Sequence, residues 1–424
     1  MNENGLSYID LFAGAGGLSE GFIQSGYRPI AHVEMNEYAS QTIETRIAYY
    51  YLKGNGKIKS YYEYQKGQIT RKQLLELIPK EELKTVINKE MSEATIKGIF
   101  NAIDDIKEEK GVNQVDVIIG GPPCQAYSLV GRAQSSHMLV PMADDPRNEL
   151  YKMYVQFLKK YMPRMFVFEN VAGIKTARGG QAFKNLQKYM RKVGYEIDYH
   201  ELNAHDFGVL QSRKRVIIVG WLKGTGNGYP AFETIHSNAE VWDLLKDLPA
   251  LFPGQEAIEY TMTDMRCLKK YVKDNYIRTK SDILTGHIAR PHTAQDIEIY
   301  KRAIDLWFEN GQHERLKYND LPDELKTHRN RTSFVDRFKV VEGDMDHCHT
   351  ILAHLSKDGH YFIHPDINQH RSITVREAAR LQSFPDNYYF EGPRTAQFIQ
   401  VGNAVPPMMA KTIADKIKEQ LEKK

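Results

Sequence analysis

A cysteine follows an apolar run and two prolines in Gly120-Gly-Pro-Pro-Cys-Gln-Ala-Tyr-Ser128. If residues 115–119 form a strand, Cys124 is fixed, with Pro123 and Gln125, at its carboxyl edge. Ligands of open α/β sheets bind at that edge, and proline rigidity holds the thiol in place. A lone cysteine is more often a small buried hydrophobe than a nucleophile; its position here shifts that balance. A second candidate is Phe168-Glu-Asn-Val171, again at the end of an apolar run. A glutamate there usually caps a helix or meets a surface cation, but in an active site Glu169 can act as an acid or as a hydrogen-bond partner to a heterocycle. A third is Gln211-Ser-Arg-Lys-Arg215, which leads into the apolar 216–219. Strand alternation would put Gln211, Arg213 and Arg215 on one side, although a charged strand edge is the plainer reading. The fourth is Asp10-Leu-Phe-Ala-Gly-Ala-Gly-Gly-Leu-Ser-Glu-Gly-Phe22. Its glycines let the backbone turn tightly and approach a ligand. Glu34, about 20 residues on, stands where an acidic residue often binds a ribose. This pair fits a dinucleotide, an adenosyl cofactor or a packing turn. The spacing Gly14, Gly16, Gly17, Gly21 departs from Gly-x-Gly-x-x-Gly and tilts away from a dehydrogenase.

These residues need a scaffold of alternating elements. Residues 8–12, 29–34, 115–119, 165–168 and 216–219 read as strands, and 18–25, 36–50 and 150–161 as helices. That rhythm predicts an α/β fold with a doubly wound, mostly parallel sheet. Residues 53–97 are charged and tyrosine-rich and read as a solvated insertion. From 224 the rhythm fails, which predicts a smaller, mixed second domain over 224–340. Order returns with helical runs at 371–381 and 408–421, so 341–424 is expected to complete a core begun by 1–223.

The bulk composition limits the alternatives. The 424 residues carry a net charge of only +3, so any polyanion-binding surface must come from local clustering. Three scattered cysteines, with no Cys-x-x-Cys pair, argue against a disulfide scaffold or a thiolate zinc site. They suit a reducing cytosol. No signal-peptide pattern or membrane-spanning apolar run is present, so a cytoplasmic protein without a membrane partner is expected.

In combination, the four motifs resemble the ordered blocks of the cytosine-C5 DNA methyltransferase family. The resemblance continues through Arg371-Ser-Ile-Thr-Val-Arg-Glu-Ala-Ala-Arg-Leu-Gln-Ser-Phe-Pro-Asp386 and Gln400-Val-Gly-Asn-Ala-Val-Pro-Pro407. It covers roughly 7–222 and 340–424 and implies a Rossmann-like methyltransferase core using S-adenosylmethionine, released as S-adenosylhomocysteine. By similarity, Phe12, Ala13, Gly14, Gly16, Gly17 and Leu18 wrap the methionine part of the cofactor. Glu34 holds the ribose, Met35 lies against the adenine, and Pro123, Asn403 and Ala404 help close the pocket. Asp105, followed by Ile106, resembles the family aspartate that accepts the adenine amino group, although Asp104 replaces the usual preceding glycine.

The resemblance makes Cys124 the covalent nucleophile and Glu169 the partner of the base. Arg215 orients Glu169, with Arg213, Gln125 and Asn170 beside them. The chemistry is independently sensible. Cytosine C5 is a poor nucleophile until a thiolate adds to C6, and a duplex cytosine must first be flipped out. Double-stranded DNA is the implied partner. Its contacts are assigned to Arg132 and Gln211 and to two basic clusters of a target-recognition domain at 224–340. The first holds Arg266, Lys269, Lys270, Lys273, Arg278 and Lys280. The second holds His328, Arg329, Arg331, Arg337 and Lys339. A solvated basic face is the plainer reading for any single residue of either cluster.

A monomer in the bacterial cytosol, associated with the nucleoid, is expected. It would serve a restriction-modification system with a separately acting endonuclease, or stand as an orphan or phage-borne enzyme. A transfer-RNA methyltransferase on the same scaffold is disfavoured because Cys348-His-Thr-Ile lacks that branch's Cys-Phe-Thr. A catalytically silent binding protein is disfavoured by the intact Cys124, Glu169 and Arg215.

Overall fold

The computed structural model describes residues 5–122, 150–327 and 335–423. Its first compact unit comprises 1–208, 214–235 and 405–424, and its second 209–213 and 236–404.

A seven-stranded sheet forms the first unit. Its strands are β1 (Ser7–Leu11), β2 (Arg28–Glu34), β3 (Val86–Asn88), β4 (Val117–Gly120), β5 (Met165–Asn170), β6 (Tyr195–Asn203) and β7 (Lys214–Leu222), in the order β3-β2-β1-β4-β5-β7-β6. β1 to β5 pair in parallel, and β7 runs antiparallel between β5 and β6. The expected doubly wound, mostly parallel sheet is therefore present. The order reverses at β1 and β4, and such a switch point opens a crevice at the carboxyl ends of the strands. β1, β4 and β5 are mostly apolar and buried along nearly their whole length, as strands covered on both faces must be.

Helices α1 (Gly17–Gln24), α2 (Glu37–Gly54), α3 (Ile96–Glu109), α4 (Leu150–Tyr161), α5 (Gln181–Lys192) and the closing helix Pro407–Glu422 cover the sheet. α3, α4 and α5 bury Ile99, Ile103, Tyr154, Phe157, Phe183 and Leu186 in one core with Ile118, Phe166 and Phe168. α2 begins where the side chain of Asn36 accepts the Ala39 amide at 3.0 Å, a helix N-cap.

Two strands escape the sequence reading. β3 lies inside the stretch read as a solvated insertion. It is only three residues long and flanked by charge, yet it pairs with β2 through His32, Val33 and Glu34. β6 is an edge strand whose polar residues face solvent, so it lacks the apolar run that betrays a central strand.

The second unit holds helices α6 (Ala294–Phe308), α7 (Val375–Leu381) and α8 (Arg394–Asn403) among long irregular segments. It also includes 341–404, so the compact units divide the chain differently from the expected break at 340. Its interior is unusually ionic. Arg371 and Arg380 are fully buried and Arg376 nearly so. Arg371 makes a bidentate pair with Glu377 at 2.7 and 2.8 Å. Arg380 binds Asp386 and Asp247, and Arg376 donates to the Thr285 carbonyl at 3.0 Å. Glu377 also closes a capping box with Thr374 at the start of α7. Burial alone would raise the Glu377 carboxyl, but Arg371 holds it below the usual carboxylate range.

Gly21 in α1 lies against the closing helix so tightly that an added Cβ would come within 2.3 Å of the Lys411 amide nitrogen and 2.4 Å of the Ala410 carbonyl carbon. Because the obstruction is backbone, no rotamer relieves it. Gly21→Ala is therefore expected to cost at least ~1–3 kcal/mol of stability, as overpacking does, read as a lowered urea midpoint. A variant as stable as the parent would contradict this packing.

Candidate active site

The site is built from the turns that leave β1, β2, β4 and β5 at the carboxyl edge of the sheet. After β1 the chain enters a loop in which Phe12, Gly14 and Gly16 have φ of 59°, 55° and 79°. Positive φ is strained for a phenylalanine and free for the glycines. The turn delivers the N-terminus of α1, a favourable end for an anion. Glu34 at the end of β2 braces this loop. One carboxylate oxygen accepts the Gly14 amide at 2.8 Å and the other the Asn36 amide at 2.7 Å. Burial raises the Glu34 pKa, and the backbone bonds from Asn36 and Gly14 oppose that rise. A carboxylate has about four acceptor positions, so two amides leave room for hydroxyl donors. Met35 projects beside it with 62% of its surface exposed.

Asp10, one residue before the end of β1, was not singled out in the sequence beyond opening the glycine-rich motif. It is fully buried, and neither carboxylate oxygen lies at hydrogen-bond distance from a partner among the described residues. Burial pushes its pKa up to about 7; the nearby Ser19 hydroxyl lowers it and the Glu34 charge adds to the rise. An orphaned acid at this edge needs a cationic or donor ligand to complete it. Asn88, the last residue of β3, is a second omission. Its side-chain amide donates to the Glu34 and Met35 carbonyls at 3.0 and 3.2 Å and to the Ser40 hydroxyl at 2.9 Å. It thus pins the β2–α2 turn, and only recognition of the three-residue β3 would have pointed to it.

β4 ends between its neighbours with no room for a side chain. A Cβ on Gly120 would lie 1.9 Å from the Leu11 carbonyl oxygen, and one on Gly121 would lie 1.8 Å from that of Glu169. The Asn170 side chain donates to the Pro122 carbonyl at 3.1 Å and is itself buried. Pro123, Cys124, Gln125 and Arg132 lie outside the described residues. Beside this strand end, Arg215 Nε meets Glu169 Oε1 at 2.6 Å, both side chains mostly buried. Arg215 Nη1 donates to the Lys214 carbonyl at 2.8 Å. Antiparallel pairing of β5 with β7 sets this ion pair by placing Asn170 opposite Val216.

Several candidates are placed elsewhere. Asp105 is on the exposed side of α3, and Ile106 is in its buried seam. Asp105 shares a groove with Lys84, just before β3 begins, so it lies toward the amino ends of the strands, opposite the site. The pattern Asp-Asp-Ile belongs to an amphipathic helix rather than to a strand-end turn. Gln211 and Arg213 precede β7 and belong to the second unit, so strand alternation does not apply to them. Gln211 is fully buried. It donates to the Leu381 carbonyl at 2.9 Å and accepts the Ile351 amide at 3.0 Å, which makes it an internal brace rather than a DNA contact. Arg213, also fully buried, donates to the Ile351 and Gly402 carbonyls at 2.9 and 3.0 Å and holds backbone rather than a reacting group.

Within the second unit, Asn403 ends α8 on its exposed side and Ala404 is buried. Arg278 is interior, paired with Asp247 at 2.8 Å and stacked 3.5 Å over Tyr260. Arg266 and Lys270 are exposed; Arg266 folds back on Asp264 at 2.8 Å. Lys269 pairs with Asp243 at 3.3 Å, Lys339 with Asp336 at 3.0 Å, and Arg337 with Asp358. His328, Arg329 and Arg331 lie outside the described residues.

Known proteins share both the sequence and the fold. A family model for C-5 cytosine-specific DNA methylases matches residues 6–73 and 80–419. The type II methyltransferase M.Bpa9945I of Bacillus paralicheniformis is 41% identical, across 97% of this chain and 98% of that protein. The type II methyltransferase M1.HphI of Haemophilus parahaemolyticus is 29% identical, across 97% of this chain and 86% of that protein. A solved structure of a DNA modification methyltransferase encoded within an E. coli prophage shares the fold, with a TM-score of 0.62 and 21% identity, over 99% of this chain and 100% of that one. The matched span takes in every strand of the sheet and the glycine loop, Glu34, Glu169 and Arg215 at its edge, and on that evidence the chain belongs to the C-5 cytosine-specific DNA methylase family.

Proposed function

We propose that this enzyme transfers a methyl group from S-adenosylmethionine to C5 of a cytosine flipped out of duplex DNA, at a short specific site. The observation that carries the reading is the Glu169–Arg215 ion pair, set against the strand end that leads into Pro-Pro-Cys-Gln. Cys124 follows Pro122 by two residues, so its thiolate is expected beside that pair. The thiolate adds to C6 while Glu169 donates to, or hydrogen-bonds, N3, and electron density moves to C5. Arg215 orients Glu169 and holds the base oxygen. C5 then takes the methyl group, a base such as water takes the C5 proton, and the C6–S bond breaks to release the thiolate and restore the aromatic base.

The residues at the carboxyl edge fit the cofactor. Glu34 retains acceptor capacity for ribose hydroxyls, and exposed Met35 offers an apolar surface for adenine. Asn88 holds the turn that carries both, and the buried Asp10 suits the ammonium group of the methionine portion. When bound, S-adenosylmethionine supplies an activated methyl group.

The type II methyltransferase relatives support a restriction-modification role at a specific DNA sequence. Target recognition is assigned to about 224–340, where the exposed cations are candidate phosphate or base contacts. No helix among the described residues is long and apolar enough to cross a membrane, and the proposed setting is the bacterial cytosol, as a monomer.

Two substitutions test this chemistry. Cys124→Ser should abolish turnover. Glu169→Gln should slow single-turnover methylation by ~10²–10⁴-fold while leaving DNA binding nearly intact. Full activity in either variant removes that residue from the chemistry.

Asp10 makes a pH prediction. Its folded pKa of about 7 lies above the ordinary 3.8. The folded state therefore holds the proton longer, and stability falls as pH rises from about 4 to 7. Asp10→Asn should remove up to ~4 kcal/mol of that fall in urea titrations of the cofactor-free protein, and it should weaken S-adenosylmethionine binding. Parallel pH profiles for parent and variant would contradict the assignment.

Finally, replacing 224–340 with the corresponding stretch of another family member should change the methylated sequence and retain the reaction. An active chimera that still marks the original site would place specificity elsewhere.

A further inference from the structure

α4 and α5 lie side by side on one face of the sheet, with Tyr151 and Tyr189 in contact at 6.3 Å between ring centres. Their inner sides are apolar and their outer sides are basic. α4 contributes Lys152, Lys159 and Lys160, and α5 contributes Lys184, Lys188, Arg191 and Lys192. Neither helix contains a single Asp or Glu. The whole chain has 57 basic and 54 acidic residues, so without these seven cations it would be net acidic.

Among the described residues, neighbouring elements leave most of the face unneutralised. Lys160 is paired with Asp104 at 2.6 Å, but Lys159, Lys184, Lys188, Arg191 and Lys192 are exposed with no carboxylate at ion-pair distance among the described residues. The adjoining edge strand β6 is acidic, yet alternation separates its charges. Tyr199 faces α5 and packs on Phe183 at 4.8 Å, while Glu196 faces the other side and accepts from Trp221. Glu201, on the α5 side, is taken by Lys175 at 2.7 Å. Lys184, Lys188 and Lys192 recur every four residues, so they form a stripe with about 6 Å between successive cations along the axis.

We infer that this face is a second, sequence-independent binding surface for duplex DNA, separate from the carboxyl edge where the target base is processed. Both helices run from that edge back across the sheet, as helices joined to parallel strands must. A duplex lying along the stripe is therefore a different segment from the one presenting its base at the edge. Phosphate contacts give affinity without sequence preference, so the stripe can hold a neighbouring segment while the first is released. The enzyme then moves between segments by direct exchange. The proposal rests on DNA being the substrate.

The test uses the full-length enzyme and a fourfold variant, Lys184→Gln, Lys188→Gln, Arg191→Gln and Lys192→Gln. Each is bound to a fluorescent target duplex and chased with rising concentrations of unlabelled non-specific duplex. The parent's dissociation rate should climb with competitor and the variant's should stay flat. The salt dependence of non-specific binding should flatten by ~0.9 log unit per lost phosphate contact. Single-turnover methylation should match the parent's, which also shows that the variant is folded. A flat rate for the parent, or a variant that still responds, overturns the inference. Equal acceleration by poly-glutamate would overturn it too, assigning the face to acidic protein instead. A parent that responds to competitor but never methylates DNA would sink the catalytic reading and leave this one standing.

Discussion

The end of β4 has no space for a side chain on either flank, and the active edge depends on that. Gly120 is pressed against the Leu11 carbonyl and Gly121 against that of Glu169. Because both obstructions are backbone atoms, the three strand ends are fixed relative to one another by contact rather than by mobile side chains. The glycine loop after β1, Pro122 after β4 and the acid at the end of β5 are thus registered together. Asn170 adds a directional bond from β5 to Pro122. A methyl donor and a base that must meet within bonding distance need such registration, since small misplacements of reacting groups are costly in rate.

Electrostatics at the edge divide into two kinds. Glu169 is satisfied by Arg215 before any substrate arrives, so its orientation is preset. Glu34 is braced by two backbone amides and keeps acceptor positions spare. Asp10 is buried without a hydrogen-bond partner among the described residues and carries a cost that a bound cation would relieve. On the proposed function, the contrast would leave the base-handling half preorganised and the cofactor half to be completed by its ligand.

Much of this was legible in the sequence because the central strands are short, apolar and followed by distinctive turns. Glu34, Glu169 and Arg215 could be assigned to strand ends from the pattern alone. What failed was what periodicity cannot see. β3 is three residues among charges, so periodicity does not reveal the element that carries Asn88, and Asp105 belongs to an amphipathic helix rather than to a strand-end turn. Gln211 and Arg213 looked like alternate strand residues beside Arg215, but the chain leaves the sheet between Arg213 and Lys214 and turns them into the second unit's interior. Polar residues in a motif read as chemistry until their burial is known. In Gln211 and Arg213 that polarity satisfies backbone carbonyls that long irregular segments would otherwise strand.

The same logic explains why the second unit spends charge in its core. It has few regular elements, so many backbone carbonyls lack a ladder partner. Arginines answer this because a guanidinium has five donors in a rigid fork. Arg376 reaches the carbonyls of Thr285 and Tyr388, and Arg371 reaches that of Leu251. Their charge must then be balanced: Glu377 hydrogen-bonds Arg371, Asp247 and Asp386 hydrogen-bond Arg380, and Asp386 also lies 3.6 Å from Arg376. Removing one member would strand the others, which is far more costly than the pair's net contribution. Basic residues in this unit therefore serve two ends. Arg278, Arg371, Arg376 and Arg380 build the scaffold from within, while Lys270 faces solvent and Arg266, also exposed, pairs with Asp264. Counting Lys and Arg along the sequence cannot separate the two sets, because only burial distinguishes them.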